Sequence, residues 1–114
     1  MTLFQFKQPV TLFVILAMVF SLDVMAGKPV FKIEIRNHLF MPSEIVIPAN
    51  TKVKLLVTNS DPTPEEFESY ELNREKVIMG ERTAIIFIGP LLPGEYPFFG
   101  EFHPHTAQGK VIAQ

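Results

Sequence analysis

The sequence predicts an all-β sandwich, and three observations carry that expectation. Apolar and polar residues alternate in short runs, Pro and Gly punctuate the gaps between the runs, and helical spacing is confined to one candidate turn within residues 69–76. Val30-Phe31-Lys32-Ile33-Glu34-Ile35-Arg36 has the period of two expected of a half-buried strand. Glu44-Ile45-Val46-Ile47 repeats that pattern in brief, and Pro48-Ala49-Asn50 turns the chain into a further strand over 51–57. Residues 83–88 form the next strand, closed by Gly89-Pro90. Leu91-Leu92-Pro93-Gly94 makes a tight turn into residues 95–99, and 110–113 supply the last strand. Short strands at this spacing belong to a sandwich.

The N-terminus bears on compartment. Lys7 precedes an apolar run from Val10 to Leu22, and Val24-Met25-Ala26 offers the small residues that a signal peptidase requires. The expectation is a cleaved signal peptide over 1–26, a single mature domain over 27–114 and a periplasmic location; an uncleaved membrane anchor is the alternative. No cysteine follows Ala26, so a lipobox is excluded, and the whole chain contains none. An exported domain of this size often leans on disulfides. Here stability must come from apolar packing, with a bound metal the other available aid.

Charge excludes one class of partner. The formal net charge is −2, and removing residues 1–26 takes away one acid, Asp23, and one base, Lys7. No basic stripe interleaved with aromatics is present, so nucleic-acid binding has no support. Acidic residues do cluster: Asp61, Glu65, Glu66, Glu68 and Glu71 fall close together, interrupted by Phe67 and Tyr70 that would tie the segment to a core.

Three segments carry a family resemblance. The first is Asn37-His38-Leu39-Phe40-Met41-Pro42-Ser43-Glu44-Ile45, the second runs from Val57-Thr58-Asn59-Ser60-Asp61-Pro62 to Glu65-Glu66-Phe67-Glu68-Ser69, and the third is Tyr96-Pro97-Phe98-Phe99-Gly100-Glu101-Phe102-His103-Pro104-His105 followed by Gly109-Lys110-Val111. Together these resemble cupredoxins, which implies a Greek-key β-sandwich over nearly all of 30–114. The resemblance places His103 at the family's C-terminal copper-ligand histidine, Gly100 at the cysteine, Ala107 near the methionine, and Glu65 at the first histidine ligand. The Pro-Glu-Glu-Phe-Glu-Ser run, paired with Phe-Phe-Gly-Glu-Phe-His-Pro, is similar to the cupredoxin-like domain of EfeO, which accompanies bacterial iron permeases. A mononuclear blue-copper centre is excluded by composition, since its trigonal ligation needs a thiolate.

In such a fold the two ligand loops meet at one end of the sandwich, bringing Glu65, Glu66 and Glu68 towards Glu101, His103 and His105, with His38 near the same end. Carboxylates and imidazoles without thiolate suit Cu(II), Zn(II), Fe(II) or Fe(III). His103 ranks first among candidate ligands, on its match to the family histidine. Glu66 and Glu68 rank next; two apart, they share a face of an extended segment, and Glu65 would face the other way. Glu101 and His38 complete the set. Met41 before Pro42 reads as a packing residue. The function this implies is a non-enzymatic, periplasmic metal-binding protein that holds copper or iron and serves an inner-membrane iron permease. A copper-dependent Fe(II) oxidase and a metal-free docking module, using Phe98, Phe99 and Phe102 as a contact patch, are the alternatives.

Overall fold

The computed structural model describes residues 27–114; the expected signal segment, 1–26, lies outside the described residues. Among the described residues there are nine strands and no helix: β1 Val30–Arg36, β2 Leu39–Met41, β3 Glu44–Ile47, β4 Val53–Asn59, β5 Glu65–Ser69, β6 Arg74–Ile78, β7 Arg82–Ile88, β8 Gly94–Gly100 and β9 Gln108–Ala113. They form a four-stranded sheet in the order β2-β1-β4-β7 and a five-stranded sheet in the order β3-β9-β8-β5-β6. Two parallel pairings, β1 with β4 and β3 with β9, set the rest of the antiparallel sandwich.

Alternation explains the layering. In β4, Val53, Leu55, Val57 and Asn59 turn inward, while Lys54, Leu56 and Thr58 turn outward. In β5, Glu65, Phe67 and Ser69 turn inward. Ile33, Ile35, Leu55, Val57, Ile86, Ile88, Phe67, Phe98 and Val111 fill the space between the sheets. Towards one end the core is aromatic. Phe98 packs on Phe67 at 4.9 Å, with Phe40 edge-on to Phe98 at 4.9 Å, arrangements that ring quadrupoles favour. Gly109 on β9 lets Phe98 lie across its backbone, because a Cβ there would sit 2.5 Å from the ring.

One local expectation is corrected. Residues 69–76 do not form a helical turn. The Ser69 hydroxyl donates to the Pro97 carbonyl at 2.7 Å and accepts from the Leu72 N–H at 3.1 Å, which seats Leu72 in the core and closes a hairpin between β5 and β6. Asn73 adopts the positive φ, 55°, that this turn demands, and β6 then pairs along β5 from Arg74 to Ile78. The structure also adds β2, a three-residue strand that the alternation pattern did not mark, joined to β1 by Asn37 and His38, both at positive φ (54° and 59°). Two central residues of that kind make the connection expected of a tight hairpin, although no glycine signals it.

Candidate metal centre

Three connections meet beyond the aromatic end of the core, and each is fixed by a buried polar residue. Asn59, fully buried at the end of β4, donates from its amide to the carbonyls of Thr63 at 2.8 Å and Ile78 at 3.0 Å, and accepts the Asp61 N–H at 3.0 Å. This folds the β4–β5 connection so that the Asp61 carboxylate reaches the β1–β2 turn. There it accepts the N–H groups of Asn37 at 2.7 Å and His38 at 2.9 Å. A histidine at positive φ is strained, and these two charge-assisted bonds offset the strain. His38 is thereby held with its Nδ1 3.4 Å from an Asp61 oxygen. Burial alone would push the Asp61 pKa up, but the His38 and Asn37 N–H bonds and nearby positive charge outweigh it, so the pKa lies below the ordinary value.

Glu65 is the second fixed point. It opens β5 on the inward face and is only 1% exposed. One carboxylate oxygen, Oε1, accepts the N–H of Glu66 at 2.9 Å and that of Phe102 at 2.9 Å. The other, Oε2, lies 2.8 Å from Nδ1 of His103. The β8–β9 connection that carries His103 is closed on itself: Gly100 N–H donates to Ala107 at 2.8 Å, and Ala107 N–H donates to His103 at 2.9 Å. It is also tied to the β1–β2 turn, where the Thr106 hydroxyl donates to the His38 carbonyl at 2.8 Å. The two imidazoles stack, centroids 3.6 Å apart and planes 13° from parallel. His38, Glu65 and His103 each bring a potential ligand atom within 4.8 Å of the others.

Gly100 explains why a glutamate fits at 65. A Cβ at position 100 would lie 2.6 Å from Cδ of Glu65 and 2.7 Å from Cβ of Ala107. The Glu65 carboxylate therefore holds the space that a side chain at position 100 would enter. The donors left are two imidazoles backed by a carboxylate, without thiolate, a set that fits a borderline cation such as Cu(II), Zn(II) or Fe(II) and fits Cu(I) poorly.

The other expected ligands sit elsewhere. Glu66 and Glu68 turn to the outer face of β5, where with Glu75 of β6 they bring three carboxylates within 4.8 Å of one another. Glu101 is exposed, its N–H bonded to the Glu66 carbonyl at 2.9 Å. Partial desolvation, then the charges of Glu75 and Glu101, raise the Glu66 pKa; Glu68 is raised by desolvation, then chiefly by Glu75. His105 is exposed, outside both clusters. Of the five ranked residues, the structure brings His38 and His103 together and puts Glu66, Glu68 and Glu101 on the acidic face. Glu65 joins the histidines instead. The inward parity of Glu65 and its alignment with the family's first ligand were the signals that could have found it.

The chain matches the family described as "Cupredoxin-like domain" over residues 9–113, and it belongs to that family. It is 47% identical over 81 residues to uncharacterized protein RP394 of Rickettsia prowazekii (strain Madrid E), a match spanning 71% of this chain and 65% of that protein, so just under two thirds of the relative is matched. Among solved structures it is similar to auracyanin A, a "blue" copper protein from Chloroflexus aurantiacus, with a TM-score of 0.67 at 12% identity over 77% of this chain and all of that one. The metal-binding domain of the Cu(I)-exporting ATPase CopA from Streptococcus pneumoniae D39 gives a TM-score of 0.66 at 14% identity, over 75% of this chain and 84% of that one. A purple cupredoxin from Nitrosopumilus maritimus gives 0.57 at 21%, over 73% and 98%. At these identities the structural likeness establishes the fold.

Proposed function

We propose that this protein is an exported metal-binding cupredoxin-like protein that holds a copper or iron ion at the centre built from His38, Glu65 and His103, and does so in the service of a membrane iron permease. The observation that carries the metal reading is the cluster itself: two adjacent imidazoles, each set against a buried carboxylate, at one end of a cupredoxin sandwich, where the partly exposed His38 ring can turn off the stack to share an ion with His103. Copper is favoured by the structural neighbours, one described as a "blue" copper protein and another as a metal-binding domain with Cu(I). The oxidised ion is favoured by the donors, because nitrogen and oxygen suit Cu(II) and Fe(III) better than Cu(I). The iron-uptake setting rests on the likeness of the Glu65–Ser69 and Phe98–Pro104 runs to the EfeO-type domain, and on an apolar N-terminal run suited to export.

One specific observation favours docking on a partner protein as a second role. Tyr70, 74% exposed, lies against Phe99 at 5.7 Å beside the Glu66, Glu68 and Glu75 carboxylates, an aromatic and acidic surface that complements a basic partner.

Calorimetric titration of the purified full-length chain with Cu(II), Zn(II) and Fe(II) tests the reading. It expects one equivalent of a single ion to bind, with binding abolished in a His38→Ala/His103→Ala double variant. No uptake, or uptake untouched by that double substitution, would sink it.

A further inference from the structure

We infer that Glu65 is the positioning residue of this centre, fixing His103 as the Nδ1–H tautomer so that the ring offers Nε2 to a metal. The inference rests on the metal reading for its consequence but not for its geometry. Both oxygens of the Glu65 carboxylate are engaged within the protein. Oε1 accepts two backbone N–H groups, from Glu66 and Phe102, and among the described residues Oε2 has one hydrogen-bond partner, Nδ1 of His103 at 2.8 Å. A side chain 1% exposed must find its partners there, because burying an unpartnered carboxylate is costly. A carboxylate only accepts, so the hydrogen between Oε2 and Nδ1 belongs to the nitrogen. A neutral imidazole with hydrogen on Nδ1 keeps its lone pair on Nε2 alone.

The surroundings fit Glu65 closely in this position. Gly100 and Ala107 wall the carboxylate so closely that an added Cβ at 100 would overlap it. The loop from Gly100 to Ala107 is closed by its own backbone hydrogen bonds, and turning the His103 ring to present Nδ1 would break its bond to Glu65 Oε2 and its stack on His38. Glu65 thus sits at a ligand position of the family fold while acting one shell further out, as carboxylates behind metal-binding histidines do.

Nitrogen-15 NMR of the histidine rings in the full-length, metal-free chain tests this directly. With the ring titrated to its neutral form, His103 is expected to show a pyrrole-type Nδ1 and a pyridine-type Nε2. In Glu65→Gln the amide can keep the two backbone bonds while donating its own N–H to Nδ1, so the tautomer should invert and affinity for Cu(II) should fall by about 10–100-fold. Glu65→Asp, which withdraws the carboxylate by one methylene, should partly restore the wild-type tautomer relative to Gln. A wild-type His103 with its hydrogen on Nε2 would overturn the inference even if every variant failed to fold, and so would an unchanged tautomer in a folded Glu65→Gln. Metal uptake with the wrong tautomer defeats the positioning role alone. The expected tautomer without metal uptake defeats the metal reading alone.

Discussion

At the residue level, Glu65 and Gly100 form a matched pair: one supplies a buried carboxylate and the other supplies the room for it. Gly100→Ala forces a Cβ to within 2.6 Å of Glu65 Cδ, and overpacking of that kind costs about 1–3 kcal/mol. Denaturant melts should show that loss, and the His103 ring resonances should shift with it. A Gly100→Ala variant as stable as wild type would mean the carboxylate can move aside. The two C-terminal histidines also differ sharply. His103 is half-buried and bonded to Glu65, whereas His105 is exposed and belongs to neither cluster. His103→Ala should therefore lower metal affinity by more than about tenfold, the range seen when the support of a ligand is lost, while His105→Ala should leave it nearly unchanged. Equal losses in a titration would place the ion elsewhere on the loop.

Among the elements, β5 decides the layout of the molecule's charge. Its alternation sends Glu65 into the centre and sends Glu66 and Glu68 out towards Glu75. Folding raises the Glu66 and Glu68 pKa values, so the folded state holds those protons more tightly than the unfolded chain does. Stability from that source rises as pH falls from neutral through the raised values, and the gain is complete below the ordinary glutamate value of about 4.3. Asp61 acts in the opposite sense. Its pKa is lowered, so its contribution is full above about 3.9 and is lost as pH falls through its folded value. Thermal melts should show a higher Tm near pH 5 than near pH 7.5, and Glu66→Gln/Glu68→Gln should shrink that difference by raising the neutral-pH Tm. A flat profile in the wild type would show that neither desolvation nor the neighbouring charges hold protons on the outer-face carboxylates. Strands with clean alternation, such as β1, β3 and β7, were legible because burial on one face imposes a period of two. β6 was not legible: it is an edge strand whose Glu75, Lys76 and Val77 are all exposed, so no apolar rhythm marks it. The same parity separated Glu65 from Glu66 and Glu68, but it could not say which face holds the histidines. That depends on Asp61 bonding across to the β1–β2 turn and on Phe102 N–H reaching Glu65, contacts between residues 23 and 37 positions apart.

As a whole, the molecule is a cupredoxin sandwich held by packing, since the chain has no cysteine to cross-link it. Phe98 is 1% exposed and touches both Phe67 and Phe40 beneath the centre. Phe98→Ala should cost about 3–5 kcal/mol, a large part of what a domain of this size has, and should loosen the site as well as the fold. Denaturant unfolding measures it, and a loss below about 1 kcal/mol would show that the core collapses around the gap.

The central claim is that His38 and His103 hold a metal ion together, with Glu65 behind them. Electron paramagnetic resonance of the full-length chain loaded with one equivalent of Cu(II) tests it most directly. The account predicts a single type-2 signal with nitrogen hyperfine structure from two imidazoles, reduced to one nitrogen in His38→Ala and unchanged in His105→Ala. A signal without imidazole nitrogens, or one that survives both His38→Ala and His103→Ala, would contradict it and move the ion to the acidic face of β5 and β6.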